Sequence, residues 1–132
     1  MHPTLNEKDK LICLSYKRFT DIPRGKIVVI DAPNDNRNYI KRLVGKPGDT
    51  IEFRDGKVIL NGKVLEENYT SSDYTESNVD GFKLKDDEYF VMGDNRLPGM
   101  SIDSRYFGPI EKKRIKSAAV YRILPLNNRG KI

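Results

Sequence analysis

Short apolar runs, several of them alternating with polar residues and separated by clusters of Gly, Pro, Asn and Asp, make this chain strand-forming almost throughout. Asp9–Arg18 (DKLICLSYKR) holds the first apolar run of strand length, and turn chemistry follows at Thr20-Asp21-Ile22-Pro23-Arg24-Gly25. Lys26–Ile30 (KIVVI) is β-branched enough for a buried strand. The polar stretch Ala32–Asn38 reads as a loop that delivers another strand, Tyr39–Val44, which Pro47-Gly48-Asp49 turns. Thr50–Arg54, the pair Asp55-Gly56 and Lys57–Leu60 spell strand, primed turn, strand, and Asn61-Gly62 repeats the signal before Lys63–Leu65. From Glu66 to Gly81 the composition shifts to Asn, Ser, Thr, Asp and Tyr, which predicts an excursion from the core, either a long loop or a small flap. Phe82–Leu84, Glu88–Met92 and Lys116–Leu124 are further strands, and only Glu111–Ile115 invites a helical turn. The fold class is therefore mainly β, with short strands and many glycine turns and no internal repeat.

At the two-residue period of a strand, Tyr39, Lys41 and Leu43 share one face, and Ile40, Arg42 and Val44 share the other. A lysine thus stands between two large apolar neighbours. In most strands such a lysine is solvated, or lays its stem over apolar surface with its head in water. Held dry, the same amine loses charge stability and its pKa falls, so that it serves as a general base.

Composition narrows the function classes. The 132 residues suit one domain with a core of its own, and 37% hydrophobic against 33% charged residues leaves no apolar run of membrane-spanning length. The single Cys13 excludes an internal disulfide and reads as a small buried side chain; with one histidine besides, His2, neither a conventional metal site nor a Ser-His-Asp triad is expected, and no cofactor is implied. A net charge of +5 comes from basic residues interspersed with acidic ones. That pattern argues for solubility and gives no basic stripe of the kind that binds nucleic acid.

The second polar constellation runs Gly93-Asp94-Asn95-Arg96-Leu97-Pro98-Gly99-Met100-Ser101-Ile102-Asp103-Ser104-Arg105, directly after an apolar strand. Its bland reading is a loop held by Asp–Arg pairs and Asx turns. In combination, paired Asp and Arg can fix a loop so that the Ser101 hydroxyl orients a neutral lysine amine. Ser71, Ser72 and Ser77, in the polar excursion, read as solvated loop residues, and Ser104 as structural.

At these residues the chain resembles the catalytic domain of type I signal peptidases, membrane-anchored Ser/Lys proteases that remove signal peptides from exported proteins. Met1-His2-Pro3-Thr4-Leu5 is similar to the segment directly after that family's nucleophilic serine. Arg24–Val29 looks like its next strand, Tyr39–Asp49 like its base-bearing strand, and Gly93–Arg105, continuing to Phe107-Gly108, like its last conserved box. With Asn61-Gly62 and Glu67-Asn68-Tyr69 between them, these stretches cover nearly the whole chain. The resemblance implies a signal-peptidase-like fold of antiparallel sheets with the excursion near residues 66–81 inserted. Residues 1–132 would form an extracytoplasmic catalytic domain truncated at its N-terminus. It implies Lys41 as general base and Ser101 as the serine that orients it, with Asp103 and Arg105 as the pair that supports them. Met1, Leu5, Tyr39 and Ile40 would line shallow pockets for small side chains, in keeping with Ala-x-Ala-like cleavage sites, and the backbone of Arg37–Ile40 would pair with an extended substrate.

The implied partners are the signal peptides of preproteins and the membrane surface, reached through an N-terminal anchor outside this sequence; the implied location is the cell membrane, with the domain on its extracytoplasmic face. In two respects the chain departs from the family pattern. The family's nucleophile lies immediately before the residue matching Met1, so the 132 residues alone are expected to be inactive. Four residues, Leu97–Met100, separate Arg96 from Ser101 where the family usually has about two, and a Pro-Gly pair can bulge without moving its flanks. The alternative function is a non-catalytic signal-peptidase-like factor that assists surface-protein or pilus assembly, against which a retained Lys41 speaks. The self-cleaving repressors use the same dyad but call for a DNA-binding helical domain and a cleavable Ala-Gly linker.

Overall fold

The computed structural model describes residues 1–18 and 20–132. Its strands, in chain order, are β1 (Lys10–Ser15), β2 (Ile27–Asp31), β3 (Asn38–Gly45), β4 (Thr50–Arg54), β5 (Lys57–Leu60), β6 (Lys63–Val64), β7 (Gly81–Lys83), β8 (Glu88–Met92), β9 (Ile110–Glu111), β10 (Ile115–Leu124) and β11 (Gly130–Lys131). A single helical turn, α1 (Ser104–Phe107), stands between β8 and β9. A larger antiparallel sheet has the order β1-β10-β2-β3-β8-β9, with β11 pairing β10, and a smaller one has the order β6-β5-β4-β7.

The hairpins follow from the glycine pairs. At Asp55-Gly56 and Asn61-Gly62 all four residues take positive φ, between 51° and 82°, the twist of a primed turn. These turns set the registers Phe53↔Val58 and Ile59↔Val64 of the smaller sheet.

β3 and β8 belong to two cores at once. Leu43 and Val91 face a cluster with Val28, Ile30, Ile110 and Ile115. Their neighbours Val44, Phe90 and Met92 face the other way, toward Ile51, Val58 and Leu84 of the smaller-sheet region. Gly45 marks the closest approach: a Cβ there would stand 2.4 Å from Ile51 Cδ1 and 2.9 Å from Phe90 Cβ. Alternation along β3 thus fixes both cores, because a one-residue slip would exchange their side chains.

In three places the structure departs from what the sequence suggested. Cys13 is exposed. It lies on the edge strand β1, where a register irregularity between Ile12 and Cys13 turns both of these residues outward while Leu11 and Leu14 are half-buried. Ser104–Phe107, with no periodic signal of its own, is helical because the Asp103 side chain caps it by accepting from the Arg105 amide. Ser71 is not a free loop serine: its hydroxyl meets Asn95 Oδ1 at 3.1 Å and accepts from the Arg96 amide at 2.9 Å. Residues 66–80 form a long loop without a strand until β7, and the 3-10 turn at Lys112–Arg114 falls within the stretch that invited a helical turn.

Candidate active site

β3 brings Lys41 opposite Val28 of β2, on the face shared by Tyr39 and Leu43. Its Nζ stands 5.3 Å from the centre of the Tyr39 ring and 3.2 Å from Ser101 Oγ. Burial is the main influence on this amine and holds its pKa below the ordinary lysine value. Asp103 and Asp94 oppose that shift, and Arg105 reinforces it.

Ser101 is fixed from behind. Its hydroxyl donates to Asp103 Oδ2 at 2.8 Å, and the same oxygen accepts from the Gly93 amide at 2.9 Å and Arg105 Nη2 at 2.8 Å. Asp103 Oδ1 takes the Arg105 amide and Nε. Burial pushes this carboxyl's pKa up, but the Arg105 bonds and charge, the Gly93 amide and the Ser101 hydroxyl outweigh it, so Asp103 stays below the usual carboxylate range. An ionised carboxylate only accepts. The Ser101 proton therefore points at Asp103, and the serine oxygen accepts one N–H of Lys41. A neutral amine held in this way has its lone pair directed away from Ser101, free to take a proton from a group on its other side.

Met1, Leu5, Tyr39 and Ile40 line one groove together with Lys41, about 350 Å³ in volume. The Met1 amine lies at that groove; burial, and then the charge of Lys41, hold its pKa below the ordinary value. Beside it runs an unpaired edge. β2 covers one side of β3 from Asn38 to Arg42, but β8 joins the other side only from Arg42 onward. Among the described residues the Asn38–Lys41 edge thus has no ladder partner on the side away from β2.

Several residues of the site escaped the sequence reading. Arg42, pointing opposite to Lys41, is buried, stacks 3.9 Å over the Tyr69 ring, and reaches Asp94 through Nε (2.8 Å) and Nη2 (2.5 Å). The Thr4 hydroxyl donates to the same carboxylate at 2.5 Å, which fastens the Met1–Leu5 segment to β3 through Arg42. Arg96, fully buried, bonds both Glu67 oxygens, Thr75 Oγ1 and the Gly93 carbonyl, and so ties the 66–80 loop to the Gly93 turn. The available signal was parity: Arg42 alternates inward with Val44, and an inward guanidinium requires a carboxylate.

A dry lysine oriented by a serine, on antiparallel sheets beside an open strand edge, is suited to acyl transfer with lysine as the base. The chain belongs to the signal peptidase, peptidase S26, family, whose sequence model matches residues 1–124. It is 38% identical to signal peptidase I of Bacillus licheniformis over 96% of this chain and 73% of that protein. It is 34% identical to signal peptidase I S of Bacillus subtilis (strain 168) over 99% of this chain and 76% of that one. The crystal structure of a signal peptidase I from Enterococcus faecalis V583 superposes with a TM-score of 0.63 at 29% identity, covering 75% of this chain and 97% of that one.

Proposed function

We propose a mechanism for this chain, a serine endopeptidase that removes signal peptides, in which Lys41 is the general base and the nucleophile is a serine hydroxyl placed immediately before Met1. The observation that carries the reading is the half-buried Lys41 amine, 3.2 Å from Ser101 Oγ, in a groove that Met1 also lines. On this reading the residue preceding Met1 meets Lys41 on the side that Ser101 leaves free.

The substrate adds a strand to the open Asn38–Lys41 edge and sets small side chains against Met1, Leu5, Tyr39 and Ile40. Lys41 takes the serine proton as the oxygen attacks the scissile carbonyl, and returns it to the leaving amine. The acyl-enzyme is then hydrolysed by a water that Lys41 deprotonates. Asp103 and Arg105 position Ser101, which positions Lys41.

Extending the chain by an upstream segment that ends in serine is expected to give cleavage of an Ala-x-Ala peptide. Lys41→Ala should abolish it, by at least ~10²-fold for loss of a general base. An inactive extended chain, or unchanged cleavage by Lys41→Ala, would refute the mechanism.

The protein works at the cell membrane with this domain on the extracytoplasmic face, held by a segment N-terminal to these residues. Among the described residues no helix is long and apolar enough to cross a membrane. Recovery of the full-length protein in the soluble cytoplasmic fraction would contradict that location.

A further inference from the structure

Two grooves flank the Lys41–Ser101 hydrogen bond. One is the Met1–Leu5–Tyr39–Ile40 groove already described. The other, about 280 Å³, has Ser101 on its wall and lies between Leu97, Pro98, Gly99, Ile102 and Tyr106 on one side and Glu76–Asn78 on the other. Its two walls are fastened together: Arg105 Nη1 donates to the Glu76 carbonyl at 2.9 Å while the same side chain grips Asp103.

The wall at residues 97–106 is unusually apolar for a surface. Leu97 is 48% exposed, Met100 60%, Ile102 51% and Tyr106 78%, although each has a polar or buried neighbour in sequence that takes the inward role. The Leu97–Met100 segment is itself well defined. The Met100 amide donates to the Leu97 carbonyl at 3.1 Å, and Gly99 takes a φ of 72°, as a Pro-Gly turn of type II requires. These side chains are exposed, and Leu97, Ile102 and Tyr106 line the groove that Ser101 shares.

We propose that this second groove binds the substrate segment that follows the scissile bond and selects an apolar side chain there. The inference rests on the function proposed above, since it takes Lys41 as the point where the peptide is cut. An extended peptide whose small residues fill the Met1–Ile40 groove presents its carbonyl at Lys41. Its continuation must leave past Ser101, into the groove that Ser101 shares. The volume admits one or two side chains, and the rim offers them Leu97 and Ile102.

The experiment uses the serine-extended chain and two soluble peptides, identical through Ala-Gln-Ala and differing only at the second residue beyond the cut, Leu or Ser. The Leu peptide is expected to have a kcat/KM about tenfold higher, the range a hydrophobic subsite discriminates. In Leu97→Ser/Ile102→Ser that ratio is expected to fall to near one. In Val64→Ser, an exposed apolar position on the smaller sheet, it should persist. A ratio near one in the parent chain overturns the proposal, as does an equal loss for both peptides in the double variant. So does a variant that alters cleavage of a vesicle-bound precursor but leaves the soluble-peptide ratio intact, which would assign the rim to lipid. Should the extended chain cut neither peptide, the mechanism above fails while the groove is still decided by methyl NMR. Leu97 and Ile102 signals should then shift with a tetrapeptide carrying Leu at its second position and not with its Ser counterpart; equal or absent shifts overturn the proposal.

Discussion

The proposed chemistry depends on a few contacts around one amine, and their signs are opposed. Asp103 favours the charged form of Lys41, and Arg105 disfavours it. Asp103→Asn is therefore expected to move the acid limb of the kcat/KM–pH profile to lower pH, while Arg105→Gln moves it to higher pH, whatever each does to the maximal rate. Limbs that shift together, or not at all, would separate Lys41 from the base role. Burial makes the folded chain bind the Lys41 proton more weakly than the unfolded chain, so this group costs stability at pH values below its folded pKa. The cost fades as pH rises toward the unfolded lysine value, about 10.4. Lys41→Met is expected to raise Tm near neutrality by an amount that shrinks as pH rises toward that value; thermal scans across pH would show it. Gly93 is the tightest point. A Cβ there would fall 2.2 Å from Ser101 Oγ, so Gly93→Ala should displace the serine and lower kcat by about 10²-fold, as an ångström-scale misplacement does, with KM little changed. That Lys41 and Ser101 meet was legible through the family resemblance, since strand parity and the Asp-Arg-rich turn by themselves also fit a solvated lysine and a plain polar loop. Thr4 and Asp94 were not, since their contact spans 90 residues and neither lies in a periodic run.

At the level of elements, buried ion pairs hold the loops that hold the site. Arg42–Asp94 joins β3 to the turn after β8 and, through Thr4, to the N-terminal segment. Arg96–Glu67 joins that turn to the 66–80 loop. Removing one partner of such a pair strands a buried charge, so Arg96→Met is expected to lower stability by roughly 3–5 kcal/mol in urea unfolding. A loss under about 1 kcal/mol would mean that Glu67 reaches water and that the loop is held by other contacts. The hairpins were readable because Asp-Gly and Asn-Gly carry their own geometry. The two-residue strands β6, β9 and β11 are strands only through their partners, and β1 is bulged, so local sequence misjudged Cys13. Composition alone also hid the fact that the polar 66–80 loop packs through Glu67, Ser71 and Thr75 against the site turn.

For the molecule as a whole, the groove that Met1 and Leu5 share with Lys41 is carried by β3, which together with β8 also supplies two of the cores. Each is built from one alternate face of the same two strands. This arrangement explains how a small chain keeps one lysine dry without burying it at the centre: Lys41 borrows the apolar face of Tyr39, Leu43 and Val28 while its nitrogen meets Ser101 at the rim. It also explains why family membership was readable from separated stretches of sequence, whose spacing reflects this shared backing. The most direct measurement is a heteronuclear NMR titration of the lysine side chains, with the Lys41 signal assigned by Lys41→Arg. Lys41 is expected to titrate clearly below the exposed lysines, and to move lower still in Asp103→Asn. Titration together with the surface lysines would mean the amine is solvated, and would contradict its role as the base.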